Sequence, residues 1–222
     1  MSIGRLSSLQ VDVLAALAPI VPPWTLTGGA ALAAFYTRHR TTRDLDLFWH
    51  GRDRLEELPA LVTDRLHAAG FAVMAVQTAP AFVRISVARG DEMVLVDLVA
   101  EPVAAVEPPV SVDLGGATIQ VDTAHEILVN KLCALLERSE LRDLVDVDAL
   151  LQAGGNLRAA LRAAPAKDAG FSVPTLAWVL RNLAVPPMTM SAGMTPVEAE
   201  RIETIRSRLV KQLVELSAPG TT

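Results

Sequence analysis

Two aspartates, Asp44 and Asp46, stand one residue apart in a segment with Leu45, Leu47, Phe48 and Trp49. Those apolar residues make the segment read as a strand, in which residues i and i+2 project from the same face. Both carboxylates therefore point one way. Magnesium takes hard oxygen ligands in near-octahedral geometry, usually from one or two carboxylates together with waters and substrate phosphates. An Asp-x-Asp pair supplies that partial shell, although taken alone it also fits a solvated strand face. A further carboxylate in register on a neighbouring strand would let two ions sit about 3.5–4 Å apart and clamp an in-line phosphoryl displacement. Asp97, within the apolar run 93–99, is the candidate for that position.

The second chemical element lies upstream. Gly28 and Gly29 follow Trp24-Thr25-Leu26-Thr27, which reads as a strand, and precede an apolar stretch over residues 30–36, which reads as a helix. Glycines at such a turn let backbone approach a ligand closely. The helix N-terminus then offers unpaired N–H groups and a positive dipole end to a phosphate. A plain turn satisfies the same pattern; the conjunction with the Asp pair is what favours a combined metal and phosphate pocket.

These residues also carry a family resemblance. Gly28-Gly29-Ala30-Ala31-Leu32, followed by Arg40, Thr42 and Asp44-Leu45-Asp46-Leu47-Phe48, is similar to the nucleotidyltransferase signature of the AbiEii/AbiGii toxin family, which includes the MenT-type toxins. A second block, Glu126 to Leu135, then Arg138, then Arg142-Asp143-Leu144-Val145-Asp146, resembles that family's lysine helix and the acidic helix after it. Many nucleotidyltransferases carry Gly-Ser at the turn, where this chain has Gly29-Ala30. Phosphate contact here would fall to backbone N–H groups and basic side chains.

The resemblance implies an α+β fold: a polymerase-β-like nucleotidyltransferase core, a mixed sheet flanked by helices, over residues 1–122. A helical C-terminal region over residues 123–222 would complete the active site and carry a basic surface. It implies Mg2+ or Mn2+ as cofactor and a nucleoside triphosphate as substrate. The acceptor would be RNA, in the first place the 3′ end of tRNA, and a cognate antitoxin would relieve growth arrest. Asp44, Asp46 and Asp97 would be metal ligands, with Asp97 alternatively the base on the acceptor hydroxyl. Gly28, Gly29, Arg40, Thr42, Lys131 and Arg138 would hold the nucleotide, and Lys131 with Asp143 or Asp146 would complete the catalytic set. Two other readings remain open: transfer to a small hydroxylated molecule such as an antibiotic, and a catalytically silent binding module of the same fold.

The elements that must position these groups can be read coarsely. Residues 124–137 place Ile127, Leu128, Leu132, Leu135 and Leu136 at helical spacing, with Glu126, Asn130 and Glu137 together on the opposite face. Lys131 lies between Ile127 and Leu135, and Arg138 shares its stripe, so this basic pair borders the packed face. A lysine there could simply snorkel, its stem covering apolar surface. Asp143 borders Val147 and Leu150 on the next helix, where a carboxylate needs a partner; orienting Lys131 or a substrate group is the expected role. Elsewhere, residues 6–17 and 54–69 read as helices, and 71–76, 82–88, 93–99 and 117–121 as strands, with a Gly90-Asp91 turn and a break at Pro102, Pro108 and Pro109. After Thr123, an expected N-cap, the chain reads as helical, punctuated by Gly154-Gly155, Pro165, Gly170 and Pro186-Pro187.

The chain has 222 residues, 51% of them hydrophobic, and a formal net charge of -5. That composition suits a packed core and argues against a general nucleic-acid binder. The charge is uneven: residues 1–155 carry 12 basic and 20 acidic side chains, and residues 156–222 carry 8 basic and 5 acidic. Arg158, Arg162, Lys167, Arg181, Arg201, Arg206, Arg208 and Lys211 are thus available to phosphates, or form the wet face of an amphipathic helix. No apolar run reaches the about eighteen residues of a membrane helix. Asp12 interrupts the early apolar stretch, which is unlike a signal peptide, and the lone Cys133 cannot form an internal disulfide. Together these favour the cytoplasm.

Overall fold

Residues 5–217 are described by the computed structural model, and the chain falls into two compact units, residues 1–127 and 128–222. The first is organised by strands β1 (Thr25–Thr27), β2 (Asp44–His50), β3 (Ala72–Ala79), β4 (Phe82–Arg89), β5 (Glu92–Glu101), β6 (Val110–Asp113) and β7 (Thr118–Val121). They form one mixed sheet in the order β3-β4-β5-β2-β1-β7-β6. β2 pairs with β5, and β1 with β7, in parallel; the other neighbours are antiparallel. Along β2 the alternation is complete: Leu45, Leu47 and Trp49 are buried and Asp44, Asp46, Phe48 and His50 half-buried.

Helix α1 (Ser8–Leu17) opens on a capping box, with Ser7 Oγ accepting from the Gln10 N–H and the Gln10 side chain accepting from the Ser7 N–H. It buries Leu9, Val13, Leu14 and Leu17. Helix α3 (Leu58–Ala68) adds Leu58, Val62 and Leu66 and packs against α1 and β3. Between β1 and β2 the chain makes a short helix α2 (Gly28–Ala31) that widens into a π-helical turn over Leu32–Tyr36. Local widening of this kind is frequent at functional sites.

Helix α4 (Ala124–Glu137) begins at Thr123, whose Oγ1 accepts the Glu126 N–H at 3.1 Å, and leads into the second unit. The compact units therefore part inside α4, between residues 127 and 128. The second unit is helical among its described residues: α5 (Leu141–Gln152), α6 (Leu157–Lys167), α7 (Val173–Arg181), α8 (Val185–Ser191) and α9 (Pro196–Ser217). α9 buries Ile202, Ile205, Leu209 and Leu213 and packs on α5, α7 and α8. No helix among the described residues is long and apolar enough to cross a membrane.

Three local expectations are corrected. Residues 110–113 form β6 although no strand is expected there. This edge strand is largely exposed and lacks the alternation that marks a half-buried strand. Pro165 does not end a helix but sits in the last turn of α6. Pro186 and Pro187 occupy the first turn of α8, where a missing N–H forfeits no intrahelical bond.

Candidate functional site

The first unit gathers its chemistry on one face of the sheet. Asp46 on β2 lies opposite Thr27 on β1 and opposite Asp97 on β5, and Asp97 lies opposite Arg84 on β4. Directly opposed residues share a face, so Thr27, Asp46, Asp97 and Arg84 form a row across four strands. Asp44 is one step along the same face of β2.

The glycine turn presses on this row. Gly28 follows Thr27 directly, with φ of 62°, a left-handed conformation that favours glycine. A Cβ added at Gly28 would land on the Asp46 carboxylate, 2.9 Å from Cγ. At Gly29 an added Cβ would meet the Arg40 Nη2 at 2.5 Å. Each glycine thus brings backbone against a charged group that a larger residue would displace. Thr42 sits at the entry to β2. Its hydroxyl donates to the Asp44 carbonyl at 3.2 Å and lies 3.4 Å from the Asp44 N–H, and its own carbonyl accepts from Gln10 Nε2 at 3.1 Å. It shapes the backbone that presents Asp44.

Asp97 has the expected register but an unexpected partner. Its two oxygens accept from Arg84 Nε at 2.7 Å and Nη2 at 2.6 Å, a bidentate pair in which Asp97 is nearly buried, its side chain 8% exposed. The hydrogen bond to Asp97 raises the Arg84 pKa; burial opposes this, and the charges of Asp97, Asp44 and Asp46 add to it. All three carboxylates therefore act on one guanidinium. Asp44 and Asp46, two hard oxygen donors on one half-buried face beside a cradle that a Gly28 Cβ would fill, fit the protein share of a divalent-cation shell. Among the described residues, no group of three or more acidic, His or Cys side chains is arranged to hold a metal.

In the second unit Lys131 is buried, and its ammonium contacts Asp143 Oδ1 at 2.6 Å and Asp146 Oδ2 at 2.9 Å. Both aspartates are fully buried. Arg138 joins them, its Nε 2.8 Å from Asp143 Oδ2 and its Nη2 3.2 Å from Oδ1. Burial by itself pushes the Asp143 carboxyl up, but the Arg138 hydrogen bond and the Lys131 charge outweigh it, so its pKa lies below the ordinary value. The sequence leaves the choice between Asp143 and Asp146 open; the helix pair engages both.

Other charged groups depart from expectation. Glu126 is not on a wet face of α4: it is fully buried, and its Oε2 accepts the Val106 N–H at 2.6 Å, satisfying a loop amide between β5 and β6. His50 Nε2 lies 3.5 Å from the fully buried Asp122, whose backbone carbonyl accepts the Tyr36 hydroxyl at 2.7 Å. Burial, then the charges of Asp122 and Glu107, raise the Tyr36 pKa. Some of the basic C-terminal side chains are spent internally. Arg206 Nη1 caps the end of α7 through the Leu180 and Arg181 carbonyls, at 3.1 Å each, and Arg208 pairs with Asp148.

Arg84 is the site residue missing from the sequence reading, and a signal for it existed. A two-residue hairpin loop at Gly90-Asp91 fixes the register of its strands and places residue 84 opposite residue 97.

Residues 12–214 match the family profile described as "Nucleotidyl transferase AbiEii toxin, Type IV TA system". No curated protein matches the chain in sequence. Among solved structures, JHP933 from Helicobacter pylori superposes with a TM-score of 0.55 at 16% identity, covering 93% of this chain and 90% of that one. A second H. pylori structure, described as a nucleotidyltransferase, gives a TM-score of 0.54 at 19% identity, covering 96% and 100%. At these identities the likeness is one of fold, the α+β arrangement with a mixed seven-stranded sheet.

Proposed function

Because the chain belongs to the AbiEii nucleotidyltransferase toxin family, and is thus a nucleotidyltransferase, we propose that it moves a nucleotide from a triphosphate to the 3′ hydroxyl of tRNA in a metal-dependent step. The observation that carries this reading is the packing of Gly28 against Asp46, on the face that Asp46 shares with Asp44. A carboxylate pair suited to a divalent ion and a backbone turn suited to phosphate meet there.

Asp44 and Asp46 are the residues that would hold Mg2+. When bound, the ion would neutralise triphosphate oxygens and polarise the α-phosphorus. The Gly28-Gly29 backbone and Arg40 would hold the phosphates, and Thr42 would keep the entry to β2 in shape. The acceptor oxygen forms a bond to the α-phosphorus, the bridging α–β P–O bond breaks, and pyrophosphate leaves with the electron pair. Preorganised positive charge is worth most where that leaving group gathers charge. Within the second unit Asp143 and Asp146 both contact the Lys131 ammonium, and its assignment to the triphosphate rests on the family resemblance alone. Asp143, Asp146 and Arg138 are then positioning residues for Lys131. The acceptor's proton passes to water.

Membership of a toxin–antitoxin family implies an antitoxin partner, and a tRNA acceptor would place the action in the cytoplasm. The test is transfer of label from each of the four α-32P nucleoside triphosphates to total tRNA with Mg2+. Wild type should label tRNA with at least one of them, and Asp46→Ala, with an unchanged circular dichroism spectrum, should not. Absence of labelling by folded wild type with all four overturns the proposal.

A further inference from the structure

The row of charges across β4, β5 and β2 raises the question of how many ions this face can hold. Three carboxylates in register would suit two divalent ions, but Arg84 changes the count. Its guanidinium takes both oxygens of Asp97 in a planar fork, the geometry in which arginine binds carboxylate best, and Asp97 is nearly buried while doing so. For Asp97 to ligate an ion it would have to surrender hydrogen bonds at 2.6 and 2.7 Å, and the incoming dication would stand beside a guanidinium that cannot lose its proton.

We infer that Arg84 occupies the electrostatic place of a second metal ion, so that this site works with one divalent cation, held by Asp44 and Asp46, and Asp97 serves as the anchor of Arg84 instead of as a ligand. This rests on the assignment of Asp44 and Asp46 as the metal pair. Arg84 is on this account a positioning residue: it withholds Asp97 from the metal and keeps a fixed positive charge in the row. A single-ion site also predicts that activity rises with metal along a simple one-site curve.

The test counts ions by electron paramagnetic resonance of Mn2+ added to the protein with saturating α,β-methylene triphosphates of each base in turn. Wild type should bind one Mn2+ per chain, with the spectrum of an isolated ion. Arg84→Met should free Asp97 and yield a second ion and the spin-coupled signature of a close Mn2+ pair. Arg84→Met/Asp97→Asn should return to one. Asp97→Asn alone, which covers the case in which Arg84→Met fails to fold, should still bind one Mn2+ per chain, more weakly than wild type because a negative charge beside the site is gone. A coupled pair in wild type overturns the inference while sparing the metal assignment, as does complete loss of Mn2+ binding by a folded Asp97→Asn. An Arg84→Met protein that folds and still holds one ion overturns it as well. If Asp44→Asn/Asp46→Asn binds Mn2+ as wild type does, the metal assignment itself fails.

Discussion

Gly28→Ala separates the two things that glycine does. Gly28 and Gly90 have nearly the same backbone angle, φ of 62° and 61°, but an added Cβ at Gly90 meets nothing within 4 Å, whereas at Gly28 it falls on the Asp46 carboxylate. Placing a Cβ on a left-handed residue costs about 1–2 kcal/mol. For a chain of this size that is about 2–8 °C in melting temperature, and both variants should show it. Only Gly28→Ala must also push Asp46 aside, by roughly 1 Å to restore a normal contact, and a displacement of that size in a reacting site costs about 10²-fold in rate. Expressed as a barrier this is about 2.7 kcal/mol. Differential scanning calorimetry of both variants, with single-turnover transfer of labelled nucleotide to tRNA, checks each part. Gly90→Ala should melt earlier than wild type and keep its transfer rate, and Gly28→Ala should lose both. Equal transfer rates in the two variants would refute the claim that Gly28 is there to admit the Asp46 carboxylate.

Three further outcomes follow from the second unit. Asp143→Ala strips Arg138 of its buried partner and leaves Lys131 with Asp146 alone, a loss of up to about 3–5 kcal/mol, to be read from urea unfolding. The Asp143 carboxyl titrates below its ordinary value, so the stability it contributes is present above the unfolded carboxyl pKa of about 3.9 and is lost as pH falls through the lower folded value. Asp143→Asn, if it folds, should therefore show a flatter acid limb below about pH 4 than wild type in a pH series of unfolding curves. Arg206→Met uncaps α7 and releases Glu203, a loss of about 1–3 kcal/mol measurable by thermal melting.

Much of the first unit was legible because its signals are local. The two-residue period puts Asp44 and Asp46 on one face whatever surrounds them, and the apolar run around Asp97 marks a strand. β6 was not legible, because an exposed edge strand has no buried face to impose alternation on Val110–Asp113. Glu126 was misread for a related reason. A helical wheel sorts residues by polarity, but the Val106 amide that this carboxylate accepts belongs to a distant loop. In α9 the apolar spacing was clear, yet which of its arginines are spent depended on the carbonyl ends of α7 and on Asp148.

The sequence by itself determined the kinds of groups available and their local orientation: a paired carboxylate strand, a glycine turn before it, a lysine at the border of a packed helix face and two aspartates on the next helix. Only the tertiary structure decided how those charges are spent. Where the Asp97 charge is spent depends on what β4 sets opposite it, and there Arg84 takes both oxygens. Whether Asp143 or Asp146 meets Lys131 depends on how α5 packs on α4, and both do. Periodicity along one element follows from backbone geometry alone. Pairing of charges between elements follows from burial, which leaves an ionised group the choice of finding a partner or losing its charge.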